Sequence, residues 1–452
     1  MKIAVIGCTH AGTAAVQEIM RTHPDAAVDV FERRGDISFL SCGIYLYLEG
    51  VVEDPTTLFY ADAPGLAALG PNVRLFMRHD VLSIDAATHT LQVQNMQTQT
   101  TFAENYDKLI FCTGSYPVVP PVQGVSLPRV LMCKNYDDAI AIKESAKDAE
   151  TIAVIGGGYI GVELAEAYSH TGHKVILING VHGLLSHYVD DELAGVIAAD
   201  LKAHQVEVVL DEVALKFDSD ETHVYVRTDK GEHQADLAVV CTGFQPMTEL
   251  LDDQVKMNPD RSIHVNDYMQ TSDPDIYAAG DTVAVYYNPT GRDAYAPLAT
   301  NAVRQGKLAG INVFGNKVKY MGTQATSALR LYDKTMACTG MTLKRARNHG
   351  FEADTVTLTD NYRPEFMPTT APVTMALVWD KESRQILGAQ LYSSYDIAQS
   401  ANLLSVMIQN RNTIDDLAYV DMLFNPNYDK PWNYLNLLGQ AAVAEADRQN
   451  KR

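Results

Sequence analysis

Cys42 stands in "ISFLSCGIYLYLEG" (residues 37–50), a run of aliphatic and aromatic side chains. A thiol there can close a disulfide, act as a lone redox centre, or pack as a small hydrophobe. A redox disulfide built on this segment needs a second thiol close by. The residue five places on is Tyr47, and no other cysteine is near in sequence. A dithiol relay within the segment is therefore excluded. Apart from packing, there remains a single thiol that cycles with a sulfenic acid or forms a mixed disulfide with a small thiol. Such a thiol is kept reactive by nearby positive charge, a protonated histidine or a helix start. His10 is the named suspect, although its position also suits a plain surface histidine. The other cysteines, Cys8, Cys112, Cys133, Cys241 and Cys338, form no C-x-x-C and no zinc spacing, so no metal site is expected.

His10 belongs to a glycine turn, and that turn occurs twice. Residues 2–19, "KIAVIGCTHAGTAAVQEI", and residues 151–168, "TIAVIGGGYIGVELAEAY", share one plan: a short apolar strand, a turn, a helix. G-x-G-x-x-G in that setting cradles a dinucleotide pyrophosphate at the helix N-terminus. The second copy is complete, with Gly156, Gly158 and Gly161. The first reads Gly7, Thr9, Gly12, so its middle glycine is replaced. An acidic residue about 20 positions on, ending the next strand, binds the adenosine ribose. The first copy offers Glu32 there and the second an amide, Asn179. Both halves then repeat D-x4-C-T-G-x2-P, as "DKLIFCTGSYP" (107–117) and "DLAVVCTGFQP" (236–246). Cys112 and Cys241 read as buried strand residues in them. Two Rossmann-like dinucleotide-binding units of α/β class follow.

Further along, "TSDPDIYAAGD" ends on Asp281, and "APLATNAVRQGKLAG" has apolar residues at helical spacing. From about residue 325 the glycine turns stop. Strand-like runs ("VTMALVWD", "QILGAQLY"), an apolar helix ("IAQSANLLSVMIQ") and an aromatic tail suggest an α+β unit with an apolar surface to cover. The expected domains are residues 1–118 together with 245–324, residues 119–244, and residues 325–452. A length of 452 residues suits about three domains. The net charge of −20 argues against nucleic acid and anionic membranes as partners. No run of about 18 apolar residues suggests a membrane span. The opening "MKIAVIG" is too short for a signal sequence. Sparse cysteines fit a reducing cytoplasm.

Together these residues resemble the pyridine nucleotide-disulfide oxidoreductase family over essentially the whole chain. "GCTHAGT", "ISFLSCG", "GGGYIGVELAEAY", "PDIYAAGD", "PLATNAVRQG" and "YDKPWNYLN" are most similar to its NADH oxidase and peroxidase branch, and to the water-forming NADH oxidases of lactic-acid bacteria. The resemblance implies FAD in the first unit, NADH or NADPH in the second, and a homodimer built through the third. The implied FAD contacts are Gly7, Thr9, His10, Ala11, Gly12, Glu32, Cys42, Val81, Thr113, Gly114, Lys134, Asp281, Leu298, Ala299 and Thr300. The implied NAD(P)H contacts are Gly156, Gly158, Tyr159, Ile160, Gly161, Asn179, Tyr188 and Gly243. Tyr159 is expected to cover the flavin until NADH displaces it. Cys42 and His10 are the implied catalytic pair, with Cys42 cycling between thiolate and sulfenic acid as O2 is reduced to water.

Three rivals stand beside that oxidase. NADH peroxidases carry a glutamate and an arginine where this chain resembles them at Ala14 and Val303, with Arg304 adjacent. Coenzyme A-disulfide reductases usually read C-G-x-P-Y where this chain has "CGIYLY", though Tyr362 could serve a thiol substrate. A flavin-binding redox sensor is the non-enzymatic reading, with the aromatic tail as a partner face. The oxidase reading makes that tail a dimer interface, with Phe424 and Pro426 reaching toward the neighbour's site. Asn179 keeps hydrogen-bonding capacity but drops the charge that repels a 2′-phosphate, and His182 could favour a phosphate if protonated. Relaxed nicotinamide selectivity is expected.

Overall fold

A computed structural model describes residues 1–449. Each repeated segment forms the centre of an all-parallel five-stranded sheet. In the first, Lys2–Ile6 lies between Lys108–Phe111 and Ala27–Glu32, with Ile276–Ala278 and Val73–Met77 at the edges. In the second, Thr151–Ile155 lies between Lys174–Asn179 and Leu237–Val240, with Val206–Leu210 and Val130–Met132 outside them. The central strands are covered on both faces. Ile3, Ala4 and Val5, like Ile152, Ala153 and Val154, are buried, which explains continuous apolar runs in place of alternation.

The turns repeat as closely as the strands. Gly7 has φ +85°, and a Cβ there would lie 2.3 Å from the Cys112 carbonyl oxygen. Gly156 has φ +113°, with its Cβ position 2.5 Å from the Cys241 carbonyl oxygen. Each turn is thus seated on the strand end of its own Cys-Thr-Gly segment. Cys112 and Cys241 lie one residue beyond those strands; Cys112 is buried and Cys241 half-buried. The helices His10–Thr22 and Tyr159–His170 leave the turns. Gly12 and Gly161 let them sit close, since a Cβ would lie 2.0 and 1.8 Å from the Gly7 and Gly156 carbonyl oxygens. The two Cys-Thr-Gly segments then meet directly: Ser115–Pro117 pairs antiparallel with Phe244–Pro246.

The third sheet is antiparallel, in the order Ser327–Leu331, Lys334–Gly340, Ile386–Ser393, Pro372–Asp380, Ala353–Asn361. Helices Ala398–Gln409, Ile414–Tyr419 and Tyr434–Gln449 share a core with it around Trp379, Leu404 and Leu438. The aromatic tail leaves Tyr419, Leu423, Phe424, Tyr428 and Trp432 exposed, an apolar surface of the kind that marks an interaction face. No described helix is long and apolar enough to cross a membrane.

The glycine contacts make a paired prediction. Gly12→Ala is expected to cost about 1–3 kcal/mol by overpacking. Gly195→Ala, inside the helix Asp191–Ala203 with open space at its Cβ, is expected to gain about 0.5–1 kcal/mol. Thermal unfolding of both variants checks the opposite signs.

Candidate active site

The two parallel sheets and the start of the third enclose a cavity of about 1110 Å³. Every site residue expected from sequence lines it except Gly12 and Gly161. Those two lie behind the turns, where they set helix packing.

Cys42 sits in a single 3-10 turn, Ser41–Gly43, that continues as the short helix Ile44–Glu49 and stops at Gly50 (φ +96°). The apolar run divides its faces. Ile44 and Leu48 are buried with Phe39 and Leu58. Cys42 is exposed and lines the cavity, so it is not a packing residue. Lys134 is the cation that acts on Cys42, and it is outweighed. Burial raises the Cys42 thiol pKa, and Glu163 and Asp281 raise it further, against Lys134 alone among nearby charges. The sulfur therefore rests as a protonated thiol in the protein chain by itself.

His10 does not supply a positive charge either. Burial lowers its pKa, and Lys134 adds to that against Asp281, so the ring is neutral. Its Nδ1 pairs with the Tyr60 hydroxyl at 3.0 Å, the two rings stacked at 5.7 Å. No hydrogen bond joins His10 to Cys42. His10 Nε2 is buried and has no partner, a cost that a ligand atom in the cavity would remove.

Lys134 donates from Nζ to Ser115 Oγ (2.9 Å), lies 3.4 Å from Asp281 Oδ2, and sits 3.9 Å above the Phe244 ring. Ser115 Oγ in turn donates to Asp281 (2.7 Å). Glu32 is buried, and its carboxylate accepts the Cys8 and Arg34 backbone N–H groups. Burial still holds its pKa above the ordinary range, against those bonds.

In the second half Asn179 plays a different part from the one expected. Its Oδ1 accepts the Gly157 N–H, and its Nδ2 donates to the Val181 and Gly183 carbonyls, all at 3.0 Å. The amide is thus engaged in holding the glycine turn and the following loop, which leaves little capacity for ribose hydroxyls. His182 is exposed and pairs with Asp211 at 2.9 Å, so a protonated His182 already has its counter-ion. Tyr159 packs edge-on against Tyr188 at 4.3 Å and hydrogen-bonds Ser327 Oγ at 2.6 Å. Any swing of its ring must break that bond to the third sheet.

Several lining residues were not expected. Glu163 is one turn past Tyr159, on the same helix face, and that i, i+4 spacing was the available signal. Among the described residues it has no hydrogen-bond partner, and burial, with Glu166 second, pushes it up to about 8. Ser115 and Phe244, and Tyr60 behind His10, act through contacts that span long stretches of sequence.

The cavity fits two dinucleotides. It carries both glycine turns, and at Gly114, Gly158 and Gly243 a Cβ would meet no atom within 4 Å. Those gaps lie where a ligand backbone approaches most closely. The chain belongs to the pyridine nucleotide-disulphide oxidoreductase family, which it matches over residues 1–306, with that family's dimerisation domain over residues 326–433. FAD is the family cofactor, used with a nicotinamide dinucleotide.

Within the family, its relatives include NADH oxidases. The chain is 48% identical over 445 residues to the NADH oxidase of Enterococcus faecalis, spanning 98% of this chain and 99% of the relative. The water-forming NADH oxidase of Lactobacillus brevis, solved with NADH, is 51% identical with a TM-score of 0.98, covering 99% of both chains. An engineered water-forming NADPH oxidase derived from it, solved with NADPH, superposes with the same TM-score and 51% identity, over 99% of this chain and 100% of that one.

The charge arrangement predicts the behaviour of the FAD-free protein. Alkylation of Cys42 is expected to titrate above the ordinary thiol value, and Glu163→Gln to shift that midpoint downward. A pH series of alkylation rates, resolved by mass spectrometry at Cys42, measures both.

Proposed function

We propose that the protein is a FAD-dependent NAD(P)H oxidase that reduces O2 to water, with Cys42 cycling between thiol and sulfenic acid. The observation that carries this reading is an exposed free cysteine on a cavity that both glycine turns line; the other cysteines of that lining, Cys112, Cys133 and Cys241, are buried or half-buried. FAD, when bound, supplies hydride acceptance from the nicotinamide and two-electron reduction of O2 and of the oxidised sulfur.

The chain's own residues do the rest. The turns at Gly7 and Gly156 present backbone N–H groups to the two pyrophosphates. The Cys42 sulfur attacks peroxide, the O–O bond breaks, an S–OH group forms, and the displaced oxygen leaves as water once protonated. The Tyr60 hydroxyl lies 3.0 Å from His10 Nδ1 and 3.3 Å from the Thr9 carbonyl. The hydroxyl proton goes to the Thr9 carbonyl, so Nδ1–H donates to the Tyr60 oxygen and Nε2 is left as an acceptor for a proton on the sulfur-bound oxygen. The family's dimerisation domain and the exposed Tyr419, Phe424 and Trp432 support a homodimer.

Stoichiometry tests the reading. The parent enzyme is expected to consume two NADH per O2. Cys42→Ser is expected to consume one and release hydrogen peroxide, while flavin reduction persists. Turnover only with added peroxide would make the protein a peroxidase. Turnover of coenzyme A disulfide would make it a reductase. No turnover despite full FAD content would leave a sensor.

Selectivity between nicotinamides gives a second test. With Asn179 neutral and no arginine between it and Tyr188, NADPH is expected to be used appreciably. At about 1.4 kcal/mol per decade, an NADH preference in kcat/KM above about a thousandfold would mean that a strong repulsion operates after all.

A further inference from the structure

Two short stripes of titratable side chains face each other beside the cavity. Cys42, Tyr45 and Glu49 recur at i, i+3 and i+7 through the 3-10 turn and its helix. Glu163, Glu166 and His170 recur at the same spacing on Tyr159–His170. That spacing places each set on one helix face. The two helices pack together.

Both stripes begin at the cavity and end at the surface. Cys42, Tyr45 and Glu163 line the cavity. About 10 Å further on, at 1.5 Å per residue, His170 is exposed and its Nδ1 lies 2.7 Å from Glu49 Oε1 and 3.7 Å from Glu166 Oε1. Glu166 is buried between the two ends. Tyr45 lies within electrostatic reach of Glu163, Glu166 and Glu49 together.

The reaction proposed above needs such a route. Each hydride brings two electrons and one proton. Reduction of O2 to peroxide takes two electrons and two protons. Reduction of S–OH to thiol and water takes the same. Attack of the thiol on peroxide is proton-neutral, giving S–OH and water. One proton per hydride must therefore come from solvent, into a cavity that both dinucleotides occupy.

We propose that the cluster of Glu49, Glu166 and His170, together with Glu163, is the proton path between solvent and Cys42. This rests on the oxidase reading for its purpose but not for its geometry. Burial pushes Glu163 up to about 8, so its carboxyl carries a transferable proton near neutrality, and burial raises Glu166 in the same direction. The other groups facing the path are few. Arg330 acts on Tyr45 and Glu166, the Tyr332 N–H donates to Glu166 Oε1 at 2.9 Å, and the Tyr332 ring sits edge-on to His170. Lys134 and Asp281 face Cys42 at the inner end.

The test starts from FAD-loaded enzyme whose Cys42 has been oxidised with one equivalent of hydrogen peroxide, so it holds even if O2 is not the natural oxidant. Anaerobic NADH is then added in weak buffer with an indicator dye. NADH absorbance reports hydride transfer and the dye reports proton uptake. Parent enzyme is expected to take up one proton per NADH in step with sulfur reduction. In Glu166→Gln and His170→Ala, uptake is expected to lag by about tenfold or more, the scale of a lost proton-transfer group, while hydride transfer keeps its rate. Added imidazole is expected to restore uptake. His170→Ala alters only an exposed side chain, so it carries the test if Glu166→Gln fails to fold.

A second readout needs no cofactor. Infrared spectra of the FAD-free protein at neutral pH are expected to show a protonated carboxyl band that Glu163→Gln removes. Parent-like uptake in both variants, or absence of that band, overturns the proposal. So does loss of uptake when a chelator is added to the parent, which would place a cation among Glu49, Glu166 and His170. Failure of the oxidase reading shows elsewhere, as peroxide release by the parent in O2.

Discussion

Each glycine turn rests on a carbonyl at the end of the Cys-Thr-Gly strand of its own half. Gly7 meets Cys112 and Gly156 meets Cys241, at approaches no side chain could share. The contact fixes where each helix N-terminus points. It also fixes the start of the next segment, and those segments, Ser115–Pro117 and Phe244–Pro246, pair with each other. The cavity between the sheets is therefore shaped by two copies of one close contact and the ribbon that joins them. Lys134, Ser115, Asp281 and Phe244 cluster on that ribbon, so its charges sit next to the wall that Cys42 and His10 complete.

Desolvation governs the chemistry of that wall. Cys42, His10 and Glu163 are all pushed toward their neutral forms by burial first, with neighbouring charges adjusting the result. A neutral thiol and a neutral imidazole on one cavity wall form a resting arrangement that avoids poorly solvated charge. Reactivity in such a site depends on moving protons, not on standing ions.

The repeat was legible because strand, turn and helix each impose a residue type at a fixed spacing. The lone thiol was legible because a dithiol needs a partner that Tyr47 replaces. What the sequence hid lies in side-chain direction and long-range contact. Asn179 occupies the acidic position, but its three hydrogen bonds go to the glycine turn and the loop behind it. Tyr159 reads as a mobile cover, yet Ser327, from a distant part of the chain, holds its hydroxyl. The cation expected near Cys42 is outweighed by Glu163, whose role depends on how two helices pack. No local pattern records that packing.

The ribbon between the two Cys-Thr-Gly segments has a consequence for divergence. It joins the two nucleotide-binding halves with three residues from each, while the loop that begins at Asn179 is tied to the second half's own glycine turn through the Gly157 N–H. Changes in that loop can retune which nicotinamide is taken without moving the flavin wall. The NADH-bound and NADPH-bound neighbours superpose on this chain equally well, each with a TM-score of 0.98, so between those two the change of nicotinamide leaves the architecture in place.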